Sequence, residues 1–114
     1  MSWWVYLNDP ETGGSVEVPA HEEGGTYQLG GADRAELNVT YNYGEVYALV
    51  EFKLRDLHGR RALLTIPDLR RASSRLGTRR YSDYWAPTPG NAGHALSVLL
   101  GWAEANPDAV WDVS

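Results

Sequence analysis

Two stretches of the chain concentrate amide, hydroxyl and aromatic side chains, which are the groups that recognise a planar polar molecule by hydrogen bonding and stacking. The candidate ligand-binding residues in them are Asn38, Thr40, Asn42, Tyr43, Asp83, Trp85, Thr88 and Asn91. If the two stretches converge around one hollow, they predict a pocket for a small polar, nucleotide-like ligand. The alternative interpretation is purely structural, because Asn and Asp favour turns and caps and tyrosine-rich strands are ordinary sheet surface.

Arginines follow the first stretch and give the chain a segregated charge. Residues 1–52 carry a balance of −8, residues 53–80 a balance of +7, and residues 81–114 hold four carboxylates and no basic residue. In one interpretation the basic segment folds against acidic neighbours and the surface charges compensate one another. In the other, arginines of this segment form a positive patch, and Arg71 and Arg75 are then candidate partners for a ligand phosphate.

Familiar catalytic and metal-binding motifs are missing from the sequence. The chain has no cysteine, and its three histidines lie far apart, so neither a sulfur-based zinc site nor a paired-histidine site is expected. There is no G-x-S-x-G elbow and no glycine-rich phosphate loop. We therefore expect no catalytic residue, no metal and no cofactor. An enzyme that uses Asp83 or His58 as general base stays open but lacks a motif.

Length and composition favour a small globular protein. The 114 residues suit one domain, and 43% hydrophobic with 22% charged residues is ordinary globular composition. No apolar run is long enough to span a membrane and residues 1–6 lack a basic signal-peptide region, so we expect a cytoplasmic protein. The net charge of −5 disfavours nucleic acid as a partner. Self-association into a homo-oligomer is left open.

The favoured function at this point is a non-enzymatic binding protein that captures a small polar, nucleotide-like molecule. The alternative is an acidic protein-interaction module, or an inhibitor of a host protein, that presents the carboxylates between Glu11 and Glu23 to a basic partner. A thermal response to small molecules distinguishes the two.

Four short motifs carry a resemblance: GGTY at 24–27, NVTYNY at 38–43, DYW at 83–85 and TPGNA at 88–92. On these the chain resembles a family of small, largely uncharacterised proteins from phages and prophage-bearing bacteria. The resemblance implies no particular activity and transfers no catalytic residue. It suggests a phage–host context, in which small proteins act on host machinery by binding a partner or by capturing a signalling molecule.

Hydrophobic periodicity predicts the elements that must position these groups. Alternation indicates strands at 2–7 and 15–18, joined as a hairpin, and further strands at 26–29, 36–42 and 109–113. A 3.6-residue period predicts one helix over 46–57, a second that begins with a capping box at Thr65 and ends at Gly77, and a third from Thr88 or Asn91 to Asn106. The order ββββαααβ predicts an α+β fold, with a small antiparallel sheet and three helices packed on one face.

Overall fold

A computed structural model describes residues 1–21 and 32–114, and the predicted strand at 26–29 lies outside them. The fold is α+β, as predicted. The strands are β1 (Ser2–Asn8), β2 (Glu17–His21), β3 (Ala32–Arg34), β4 (Glu36–Thr40) and β5 (Val110–Val113). They form a three-stranded antiparallel sheet in the order β4-β1-β5 and a two-stranded antiparallel sheet of β2 and β3.

The register of the larger sheet follows the alternation of the sequence. Val5 of β1 lies opposite Leu37 of β4 and Val113 of β5, and all three are buried. Because successive strand residues point to opposite faces, this register places the apolar residues of all three strands on one face, where the helices cover them. The closing strand β5 pairs with β1 and forms one edge of this sheet.

The predicted N-terminal hairpin is confined to its turn and does not extend along β1. The strand that follows β1 in the chain pairs with β3 in the second sheet, while β1 is flanked by β4 and β5. Around the turn, Asn8 and Ser15 form a bridge, Asp9 donates its N–H to the Gly14 carbonyl at 2.8 Å, and Val16 donates to the Leu7 carbonyl at 3.0 Å. Both edges of β1 are instead paired with strands from distant parts of the chain.

Three helices pack on the sheet: α1 (Gly44–Leu49), α2 (Ala62–Leu76) and α3 (Pro89–Ala105). The predicted helix over 46–57 is instead α1, a break, and a 3₁₀ turn at Leu54–Leu57. The break lies at Glu51, whose φ of 55° is left-handed and cannot continue a right-handed helix. Leu49, an apolar residue within the range of that predicted helix, is 80% exposed.

The second helix begins three residues before the predicted capping box. Ala62 and Leu63 donate their backbone N–H groups to the carbonyls of Ala109 and Pro107, so the turn before β5 caps this helix. Thr65 is buried inside the helix; its hydroxyl donates to the Ala62 carbonyl and accepts from the Trp111 indole at 2.9 Å. A capping box is a local signal, and a distant segment replaced it here.

The third helix is confirmed at both ends. Thr88 is its N-cap and accepts the N–H of Asn91 at 3.1 Å, and the helix ends before Asn106 and Pro107. Near its start, Gly93 packs directly against the Gly77 carbonyl, and a side chain there would collide with that backbone. Within the described residues, no helix combines the length and apolarity that crossing a bilayer requires.

Candidate functional site

The two predicted polar stretches meet in space, with Tyr84 between them. The Tyr84 hydroxyl donates to the Asn38 carbonyl at 2.7 Å and accepts the Thr40 N–H at 3.1 Å. These are groups on the outer edge of β4, so one phenol hydroxyl takes the place of a neighbouring strand. We call the contact between residues 38–43 and 81–91 the polar joint.

Asn91 organises the second half of the polar joint. Its side-chain amide donates to the carbonyls of Asp83 and Ala86, at 2.9 and 3.0 Å, and its oxygen accepts the Tyr81 N–H at 2.8 Å. The residue is 5% exposed. Both N–H donors of this amide and its oxygen are therefore engaged by backbone that the side chain holds in place.

The other predicted residues of the joint are used in the same way. The Thr40 hydroxyl accepts the Asn42 N–H and begins a 3₁₀ turn at Tyr41–Tyr43. The Asn42 amide donates to the Trp85 carbonyl at 3.0 Å, and the Asn38 amide donates to the Ser2 hydroxyl at 2.7 Å. The Asp83 carboxylate accepts the Trp85 N–H at 3.0 Å, which closes a tight turn.

Two tyrosines anchor the joint to the core. The buried Tyr43 hydroxyl donates to the Tyr84 carbonyl, and the buried Tyr47 hydroxyl donates to the Ala92 carbonyl at 3.1 Å. Burial, followed by the neighbouring phenols, raises the pKa of both tyrosines well above the ordinary value. These hydroxyls stay protonated donors at neutral pH.

The polar joint thus brings together all eight residues predicted on the two stretches. Within the described residues, their side-chain hydrogen bonds go to one another, to the Ser2 hydroxyl and to nearby backbone. None of the eight lines the clefts described below. Trp85 is half-buried and packs edge-on against Tyr84 at 5.0 Å. The arrangement matches the structural interpretation of these stretches.

The two predicted arginines are not near the joint's hydrogen bonds. Arg71 donates to the carbonyls of Val50 and Glu51, at 2.6 and 3.4 Å, and so caps the end of α1. Arg75 is exposed near the end of α2 and makes no hydrogen bond or ion pair within residues 1–21 and 32–114.

Several basic residues of the 53–80 segment are neutralised by acids from α2 and from the C-terminal segment. Arg60 pairs with Asp68 at 3.6 Å, and the other two pairs are Arg61 with Asp108 at 2.9 Å and Arg70 with Glu104 at 3.0 Å. All six side chains are substantially exposed, so each pair contributes about 0–1 kcal/mol. For these arginines the compensating arrangement is the one observed.

A cleft of about 600 Å³ opens beside α1, and we call it the main cleft. Its floor and one wall are apolar, formed by Tyr47, Phe52 and Leu54 below and by the half-buried indole of Trp3 at the side. Ala48 of α1 lines it from an exposed position. A volume of this size lies within the range of small-molecule sites.

Four charged residues surround the apolar floor of the main cleft: Glu51, Lys53, Arg55 and Asp56. All are exposed, and within the described part of the chain their side chains form no ion pair or hydrogen bond. Two acids and two bases without an ion-pair partner among the described residues thus surround one opening, whereas several other charged side chains of the molecule form ion pairs.

A smaller cleft of about 110 Å³ adjoins the main cleft, and we call it the charged cleft. The two share Glu51, Phe52, Lys53 and Asp56, which form the ridge between them. Leu57, Arg60, Asp68 and Arg71 complete the lining of the charged cleft. Of the predicted ligand-binding residues, Arg71 is the one that lines either of these two clefts in the part of the chain that the structure describes.

Other clefts are less suited to a ligand. One of about 310 Å³ lies between β2 and α3, beside the contact of His21 with Trp102. Another, of about 370 Å³, is open and is lined by Asp9, Glu11 and Asp108 among others. In the described ranges, no group of three or more histidine or carboxylate side chains is placed to hold a metal ion.

Comparison with known proteins adds no relative: no family model, no curated protein and no solved structure matches the chain. The resemblance to phage-type proteins therefore stays a prediction.

Sequence reasoning missed the main cleft. Its residues come from the start of β1 and from 44–56, where a continuous helix was predicted. One signal was available, since a helix that continued through Glu51 and Lys53 would have left Phe52 outside the apolar stripe. An aromatic residue that breaks the period of a predicted helix can mark the point where that helix ends.

Proposed function

We propose that this protein is a non-enzymatic binding protein, and that it captures a small planar, nucleotide-like molecule in the main cleft. The observation that carries the proposal is an apolar cleft of about 600 Å³ whose surrounding charges have no partner in the described chain. A phage–host setting, in which capture removes a signalling molecule from its receptor, agrees with the resemblance and stays part of the proposal.

The apolar part of the ligand would be a flat ring. Tyr47 and Phe52 are 1% and 6% exposed, so neither has enough open ring surface to stack on a ligand. The accessible ring is the Trp3 indole, which is fixed by an edge-on contact with Tyr41 at 4.7 Å. A base lying against an indole that is already held in place loses little side-chain entropy on binding.

The charged part of the ligand would be an anion beside Lys53 and Arg55. Both residues line the main cleft, and neither has a carboxylate partner within the described residues. Charge-assisted hydrogen bonds from these side chains to a phosphate are stronger than neutral ones, and an arginine can make two of them. Apolar walls and nearby cations together favour a nucleotide over an uncharged ring.

The experiment is thermal unfolding and titration calorimetry with AMP, GMP, CMP and UMP. A nucleotide at about 100 times its dissociation constant should stabilise the fold by about 2.7 kcal/mol. Ala48→Leu should remove the response, because the larger side chain occupies the main cleft from an exposed helical position. Ala105→Leu, the same change at an exposed position of α3, should leave it intact.

The acidic protein-interaction module remains the second proposal. It is supported by the exposed Glu11 beside Asp9 in the open cleft of about 370 Å³, while Glu22 and Glu23 lie outside the described residues. A chain that responds to no nucleotide but binds a basic protein partner, with loss on Glu11→Gln, would favour this second proposal over the first.

A further inference from the structure

The ridge between the main cleft and the charged cleft contains the backbone outlier Glu51. Its φ of 55° lies in the left-handed region, and it is the one residue other than glycine among those described that does so. The conformation follows from the way α1 ends. Glu51 donates its N–H to the Ala48 carbonyl at 3.1 Å, and Phe52 donates to the Tyr47 carbonyl at 3.0 Å.

These two hydrogen bonds are the pair that defines a Schellman motif, with Glu51 at the left-handed position. The hydrophobic contact that accompanies the motif is also present, as the edge-on packing of Phe52 on Tyr47 at 5.6 Å. Arg71 donates to the carbonyls of Val50 and Glu51, two consecutive residues of this turn. The surrounding structure therefore fixes the direction in which residue 51 carries its side chain.

Glycine is the usual residue at this position, because it takes the left-handed conformation without steric cost. Here the position carries a side chain with a carboxylate instead. Glu51 lines both clefts, and its carboxylate has no ion pair or hydrogen bond within residues 1–21 and 32–114. Residues held in sparsely populated backbone regions cluster at ligand sites, which makes this carboxylate a candidate ligand-binding group.

An ionised carboxylate only accepts hydrogen bonds, and its two oxygens match two parallel N–H donors. Among the common bases, guanine presents such a pair, the ring N1–H and the exocyclic amine, on one edge. A guanine stacked on Trp3 would present this edge to Glu51 while its phosphate meets Lys53 and Arg55. We propose that Glu51 is a specificity-determining residue that selects a guanine-type base; this inference rests on the proposed function.

The test compares GMP with IMP, which differs only by lacking the exocyclic amine. Titration calorimetry of the wild-type chain should give GMP at least about tenfold tighter binding than IMP, as expected for one lost charge-assisted hydrogen bond. Glu51→Gln should weaken GMP binding by about tenfold and bring the GMP-to-IMP ratio close to one, because the amide replaces one acceptor by a donor. Glu45→Gln changes an acid of α1 that does not line the cleft and should keep the wild-type ratio.

The outcomes separate the two proposals. Equal binding of GMP and IMP, with both lost in Ala48→Leu, would overturn the role of Glu51 and leave the proposed function standing. Loss of discrimination in Asp56→Asn but not in Glu51→Gln would also overturn it, since Asp56 is the other carboxylate of the ridge. No response to any nucleotide would overturn both.

Discussion

The polar joint and the main cleft are neighbours in the fold and differ in how their polar groups are used. In the joint, amides, hydroxyls and backbone groups satisfy one another, and Asn91 alone makes three side-chain hydrogen bonds. Around the main cleft, charged groups of both signs stand without partners in the described chain. A residue type that can bind a ligand is therefore a poor guide to a site unless its hydrogen-bonding capacity is still free.

The difference also bears on which region tolerates substitution. Buried hydrogen-bonded groups are costly to leave unpaired, whereas exposed charges contribute little to folding. Substitutions in the joint should therefore change stability, and substitutions around the cleft should change ligand binding. Four predictions test this contrast.

The largest effect is expected for Asn91→Ala. The change removes three hydrogen bonds made by a buried amide. The carbonyls of Asp83 and Ala86 each keep a backbone donor, but the Tyr81 N–H loses its acceptor. At about 1 kcal/mol for each hydrogen bond, the free energy of unfolding should fall by about 3 kcal/mol in urea titrations. Asn42→Ala removes one exposed hydrogen bond to Trp85 and should cost less than about 1 kcal/mol. Equal effects of the two variants would contradict the view that the joint is held from Asn91.

Alkaline pH should lower the free energy of unfolding through the two tyrosines that anchor the joint. Because the folded pKa of Tyr43 and Tyr47 is raised, folding keeps both phenols neutral. Their contribution is complete below the unfolded pKa of about 10 and falls as the pH rises toward the folded values, by up to about 1.4 kcal/mol per pH unit for each group. Urea titrations between pH 8 and 11 measure the slope. Tyr47→Phe should remove about half of it; an unchanged slope would exclude Tyr47 as its source.

The sequence predicts β1, β4, β5, the third helix and the α+β class, because these rest on a regular period or on a local cap such as Thr88, whereas the short strand β3 was not predicted. Prediction failed where a distant segment replaced a local signal. Thr65 has the sequence of a cap, but the carbonyls of Pro107 and Ala109 cap the second helix. The pairing of β1 with β4 and β5 likewise depends on contacts that no local pattern encodes.

The candidate site was harder to predict than the fold for a related reason. Polar residues of the joint stand out in sequence because they are clustered, yet structure is needed to see that they satisfy one another. The charges of the cleft come from 51–56 and look like the solvated face of a helix. Only the break after Leu49 turns them toward one opening.

A third prediction separates the cations of the cleft from those of α2. In the chain with Lys53→Ala and Arg55→Ala, nucleotide binding should weaken by about tenfold through lost phosphate contacts. The free energy of unfolding should change by less than about 0.5 kcal/mol, since both side chains are exposed. Arg75→Ala, at the arginine predicted from sequence, is the matched control and should keep the wild-type affinity in titration calorimetry.

The smallest effect is expected at Glu51, and its sign is what matters. Glycine adopts a φ of 55° without the steric cost that a side chain imposes, so Glu51→Gly should raise the free energy of unfolding by about 0.5–1 kcal/mol. Leu49→Gly, two residues earlier in right-handed helix, should instead lower it by about 1 kcal/mol, because glycine there costs backbone entropy. Urea titration of the two variants measures both signs.

If Glu51→Gly destabilises the fold, the carboxylate supports the structure, and the case for a side chain kept at this position for binding is lost. If it stabilises the fold and also weakens GMP binding, the wild-type chain gives up stability at the cleft for recognition, the opposite of what Asn91 does in the joint.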